Sequence, residues 1–168
     1  MAQTPPANPP PAAEPPAVTP PAADEAKAGA GGAVVSADAL EAIHLPKPKK
    51  LPETGNWLTP NPATPGNRLV NYSDGKSYWL TVHFADCNAP EAKNLPEGRR
   101  GEYKYCYEQP TGKVKDYASY STGNEVRAVK AGHLMVNAMR GAQAPEGYGG
   151  ADLEEFLGSV DLAALAKL

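Results

Sequence analysis

From residue 78 the apolar positions recur at every second place, with Tyr78, Leu80, Val82 and Phe84 on one parity and Trp79, Thr81 and His83 on the other. That period predicts a strand with one apolar face. Residues 69–72 lead into it through Ser73-Asp74-Gly75-Lys76, whose Asp-Gly pair supplies the positive φ angles of a tight turn, so the two segments are expected to form a hairpin. Tyr103, Tyr105 and Tyr107 alternate with Lys104, Cys106 and Glu108, and Pro110-Thr111-Gly112-Lys113 then turns the chain into residues 114–120. A second hairpin is predicted there, with residues 88–101 as a polar loop between the two.

The period then lengthens. Thr122-Gly123-Asn124-Glu125 has capping-box spacing, and Ala128, Ala131, Met135 and Met139 follow on one helical face, so a helix is predicted to about Arg140. Gly141 ends it, a glycine-rich loop runs to Gly150, and Asp152 is placed as the cap of a last helix. Its stripe is Leu153, Phe156, Leu157, Val160, Ala164 and Leu168. The expected fold is α+β: a small antiparallel sheet of two hairpins, one packed helix and a C-terminal amphipathic helix. A long disordered or extended Pro/Ala-rich arm precedes it.

Composition locates the arm. The chain has 168 residues with 19 Pro and 16 Gly, most of the prolines fall before Gly66, and every Trp, Tyr and Phe lies at or after Trp57. Residues 1–34 are nearly all Pro, Ala and Gly and lack the apolar surface needed to offset ordering, so extended polyproline II is expected. Ser36 could cap a short helix over residues 36–44, which reads as a docking segment inside the arm before Pro46 and Pro48 stop it. The domains are set at 1–56 for the arm and 57–168 for the compact part.

Charge and chemistry narrow the function classes. A formal net charge of −3 offers no single-sign field for a polyanion, so nucleic acid is not expected as a partner. The N-terminus carries no basic, apolar leader pattern, and no apolar run approaches the roughly 20 residues that span a bilayer. Membrane insertion is therefore not expected, and cytoplasmic synthesis and assembly are favoured. Leu51-Pro52-Glu53-Thr54-Gly55 resembles the sortase sorting signal. Such a signal is followed by an apolar span and a basic tail, whereas here a folding-competent domain follows, so the string is read as linker and supports no family assignment.

His83, Cys87, Cys106 and His133 are residue types that zinc prefers, but His83 and Cys87 on one strand stand about 13 Å apart at the extended rise. No metal or cofactor is expected. A thiol nucleophile would need His83 or His133 as its base, and no nucleophile turn surrounds either cysteine. Cys87 and Cys106, at strand ends, are instead the candidates for one disulfide if the chain meets an oxidising space.

Tyrosines crowd residues 72–120, and aromatic side chains of this kind favour interfaces. Trp57, Trp79, Tyr103, Tyr105 and Tyr107, with Leu40, Ile43 and Leu45 of the arm, are the expected partner-binding residues. The function read from these features is that of a noncatalytic structural or accessory subunit of a large assembly, such as a virion decoration protein. Its arm would bind neighbouring subunits, and a small-molecule ligand is not expected. The alternatives are a cell-envelope or surface binding module on a proline-rich spacer, and a small thiol or metal enzyme.

Overall fold

A computed structural model of the chain describes residues 32–50, 58–74 and 76–168. The predicted arm up to residue 31, the Leu51–Gly55 string and Trp57 lie outside the described residues. The described residues form a mixed α+β fold within a compact unit over Gly31–Leu168. Its centre is a seven-stranded antiparallel sheet in the order β1-β2-β3-β7-β6-β5-β4. The strands are β1 (Leu58–Pro60), β2 (Asn67–Ser73), β3 (Tyr78–Asp86), β4 (Gly112–Val114), β5 (Tyr117–Thr122), β6 (Val126–Ala131) and β7 (Leu134–Arg140). Two meanders, β1-β2-β3 and β4-β5-β6-β7, are thus joined edge to edge by the β3–β7 ladder, in which Phe84 faces Val136 and His83 faces Asn137.

The first hairpin is β2–β3, with Val70 opposite Val82 and Tyr72 opposite Leu80. Asp74 closes its turn, because its carboxylate accepts the backbone N–H groups of Lys76 and Ser77 at 2.8 and 2.6 Å and its pKa falls as a result. The expected helix to Arg140 is instead the β6–β7 hairpin. Gly132 takes φ 63° at the first place of the Gly132-His133 turn, a conformation that costs glycine little. Residues 134–138 are all buried because both faces of the sheet are covered here. A strand covered on both faces reads as a continuous apolar run, so the helical spacing of Ala128, Ala131, Met135 and Met139 was a coincidence of that run.

The second predicted hairpin is also displaced. Residues 103–107 form no strand, since Gly101–Cys106 is a 3-10 helix, and β5 pairs with β4 through a turn at Lys115 and Asp116. In a 3-10 helix residues three apart line up, which sets Tyr103 and Cys106 on one side. The C-terminal helix begins at Gly150, as α2 (Gly150–Ser159), and a separate turn, α3 (Leu162–Leu165), follows. Asp152 serves inside its first turn, accepting the Gly149 N–H at 2.9 Å.

The sheet separates two apolar clusters. On one face, Val70, Tyr72, Leu80, Val82, Phe84, Val129 and Val136 pack beneath Leu153, Phe156 and Leu157 of α2 and Leu162 and Leu165 of α3. On the other, a flap made of residues 87–111 covers Ala85, Ala128, Met135 and Tyr120 with Tyr103 and Tyr105. Leu80 and Phe84 are wholly buried and Thr81, on the flap side, is half-buried. Leu80→Ala is accordingly expected to cost about 2–5 kcal/mol and Thr81→Ala well under that, as urea unfolding would show.

The segment expected to dock on other subunits is folded onto its own domain. Ser36 caps α1 (Ala37–Glu41) by accepting the Ala39 N–H at 3.2 Å, and Leu40 enters the core beside β2 with no exposed surface. Val35 is buried as well, while Ile43 and Leu45 pack against the same cluster. Residues 32–50 therefore belong to the compact part, and a boundary near residue 56 does not describe it.

Candidate functional site

Cys87 at the end of β3 and Cys106 at the end of the Gly101–Cys106 helix form a disulfide, with Cα atoms 5.6 Å apart. The bond closes the flap on itself at its sheet end. A loop of about 20 residues closed in this way stabilises the fold by roughly 3 kcal/mol through the lost freedom of the unfolded chain. Reduction, or a Cys87→Ser and Cys106→Ser double substitution, should lower stability by that order in denaturant titration.

Beneath the flap edge the sheet carries polar side chains in register. Asn67 of β2 accepts through Oδ1 from His83 Nε2 at 2.9 Å and donates through Nδ2 toward Glu102 at 3.4 Å and the Tyr103 hydroxyl at 3.5 Å. The Glu102 carboxylate can only accept here, which fixes the Asn67 amide and makes His83 Nε2 a donor. Asn137 of β7 is buried and donates to the backbone carbonyls of His83 and Glu102 at 3.3 and 3.2 Å. At the other end of the same helix, the Tyr105 hydroxyl meets Thr122 Oγ1 at 2.7 Å and Lys104 Nζ donates to that oxygen at 3.1 Å. Lys104 also lies 3.6 Å from Glu108.

Of these residues His83, Glu102, Lys104, Tyr105, Thr122 and Asn137 line a cavity of about 370 Å³ between the flap and the sheet, with Val126 and Met139 of the sheet. Its volume falls within the roughly 300–1,000 Å³ of small-ligand sites. Burial lowers the His83 pKa, with the nearby Glu102 charge acting against it, which favours the neutral imidazole in the fold. A histidine with a lowered folded pKa binds fewer protons than in the unfolded chain, and its stabilising contribution is present above the ordinary value of 6.5 and fades as pH falls below it. The thermal midpoint should drop on acidification from pH 7 to 5, and less so in His83→Gln.

Among the described residues the predicted partner-binding side chains are scattered, with Leu40, Tyr103 and Tyr105 buried, Ile43, Leu45 and Trp79 half-buried and Tyr107 exposed. Tyr103 and Tyr105 are the flap's own buried side chains, packed on the sheet, and Trp79 is half-buried edge-on to Tyr148 at 6.3 Å between ring centres. Tyr107 spans the flap: its hydroxyl donates to the Ala92 carbonyl and accepts the Leu95 N–H at 2.9 Å, while the Arg100 guanidinium stacks 4.3 Å from its ring centre. The four candidate metal ligands are committed apart, with the two cysteines bonded to one another, His83 on Asn67 and His133 Nδ1 on Asp86 at 2.7 Å. No cluster of three or more His, Cys, Asp or Glu able to hold an ion occurs among the described residues.

Sequence reasoning missed Asn67, Glu102, Thr122 and Asn137. Asn137 interrupts an otherwise apolar strand, and that interruption was the available signal. No family model, curated protein or solved structure matches this chain. Among the described residues no helix is long and apolar enough to cross a membrane.

Proposed function

We propose that the protein is a noncatalytic binding module that works in an oxidising space such as a cell envelope or surface, carried on its proline-rich N-terminal region. The observation behind this reading is the Cys87–Cys106 bond, which closes the flap that walls the cavity. Disulfides persist outside the reducing cytosol, and a domain whose binding wall is tied by one is suited to such a compartment. Pairing of both cysteines also leaves the thiol-enzyme alternative without its nucleophile.

The assembly-subunit reading relied on residues 36–44 as a helix that docks elsewhere, and Leu40 is consumed by the domain's own core. It therefore ranks second. Trapping of thiols with an alkylating reagent in intact source cells tests the proposal, with both cysteines expected to be unreactive until a reductant is added. Alkylation of both without reductant would overturn it and favour an intracellular assembly role.

A further inference from the structure

The cavity under the flap has two chemically different ends. The β3–β7–β6–β5 register puts Thr81, Met139, Val126 and Thr122 in one row across the sheet, with His83 and Asn137 in a neighbouring row. Glu102 is tied to the His83 end through Asn67 and Asn137, and Lys104 and Tyr105 are tied to the Thr122 end. Since His83 gives its Nε2 proton to Asn67, its other ring nitrogen is an acceptor, so acceptors gather at the β3 end beside the Glu102 carboxylate. Donors gather at the β5 end, where the Lys104 ammonium gives one proton to Thr122 Oγ1, faces the exposed Glu108 at 3.6 Å and lies 5.3 Å from the Tyr105 ring centre. Between them the floor is apolar, made by Met139 and Val126.

From this arrangement, and resting on the binding-module reading above, we infer that the cavity binds a small zwitterion of dipeptide size. Its ammonium lies toward Glu102 and His83, its carboxylate toward Lys104, Tyr105 and Thr122, and its apolar side chain on Met139 and Val126. The span sets the size. From β3 to β5 is three inter-strand spacings, about 14 Å, and a hydrogen bond of about 3 Å at each end leaves roughly 8 Å between the charges of the ligand. An extended dipeptide covers about 7 Å, whereas a single α-amino acid is far too short to reach both ends. Burial of an apolar body with one paired charge at each end also avoids leaving an unpaired charge under the flap.

The test is a titration of the intact, oxidised full chain, followed by the methyl NMR signals of Met139 and Val126, with Ala-Leu, leucine, acetyl-Ala-Leu and Ala-Leu amide as probes. Ala-Leu should give saturable shifts at both methyl sites, and removal of either terminal charge should weaken binding at least roughly tenfold. In Glu102→Gln the penalty for acetylation should vanish while that for amidation persists, and Lys104→Met should do the reverse. Both side chains are half-buried and neither is part of an apolar cluster, so melting curves of the two variants will separate lost recognition from lost folding. Leucine binding as tightly as Ala-Leu would overturn the size. Equal binding of charged and blocked probes, or no saturable shift with any of them, would overturn the ligand class. The compartment proposal stands or falls separately, on the thiol state in cells.

Discussion

A chain that begins after residue 48 will not fold, whereas one that begins at Gly32 will keep the melting midpoint of the full chain. Residues 32–48 hold their place through core packing and polar ties together. Leu40 and Val35 are buried in the main cluster, and burying two such side chains contributes about 1.5–3 kcal/mol each. The buried Arg68 guanidinium donates to the carbonyls of Leu40 and, at 3.3 Å, Ile43, capping the end of α1 from the sheet. Tyr72 donates to the Pro46 carbonyl at 2.9 Å. Without the segment the Arg68 guanidinium and the Tyr72 hydroxyl lose those partners, and the apolar surface the segment covers is opened to water. The apolar loss of about 3–6 kcal/mol, with the net loss of these hydrogen bonds at roughly 0.5–1.5 kcal/mol each, is comparable to the ~5–15 kcal/mol that keeps a domain folded. Circular dichroism of the two truncated chains decides the matter, and a folded chain lacking residues 1–48 would return the segment to the role of an arm. The point substitution Leu40→Asp should reproduce much of the damage within the full-length chain.

The contrast between that outcome and the composition of the N-terminal region shows where the sequence was legible. Ser36 as a cap and residues 69–84 as a hairpin were readable because a side-chain cap and a period-two stripe are local signals. Whether the capped helix belongs to the domain was not, because that depends on Arg68 and Asp86, which reach it from 28 and 51 residues away. The β6–β7 hairpin was hidden for a related reason. Its residues are buried from both sides, so alternation disappears, and only Val126, Val129 and Val136 with the Gly132 turn spoke for strands. At the site, the cysteine pairing could be proposed on the premise that both lie at strand ends; Cys87 follows β3, but Cys106 ends a 3-10 helix, so the pairing is present although half of its premise is not. The juxtaposition of His83, Asn137 and Glu102 could not be proposed, since it requires the β3–β7 register and the position of the flap.

Asp86→Ala should be the most damaging single truncation of a polar side chain, costing about 3–5 kcal/mol. Asp86 has no exposed surface, yet three segments meet on its carboxylate. One oxygen accepts the Val35 N–H at 2.8 Å, and the other accepts the Asn88 N–H at 2.8 Å and His133 Nδ1 at 2.7 Å. The N-terminal segment, the start of the flap and the β6–β7 turn are thereby fixed to the end of β3. Gly66 completes the junction: its N–H donates to the Val35 carbonyl, its carbonyl accepts from Asp86 N, and its φ of 77° suits glycine. A Cβ there would stand 3.0 Å from both Val34 and Ala89, so the close approach at this junction also requires glycine at residue 66. Truncation to alanine leaves two backbone donors and an imidazole facing a void, and each buried donor without a partner costs about 1–3 kcal/mol. Asp86→Asn keeps one acceptor oxygen and should lose clearly less than alanine. The assignment is checked by a double-mutant cycle of Asp86→Ala with His133→Ala in denaturant unfolding, in which a coupling of at least about 1 kcal/mol is expected. Additive losses, or an alanine variant within about 0.5 kcal/mol of the parent, would mean that the junction is held by apolar packing alone.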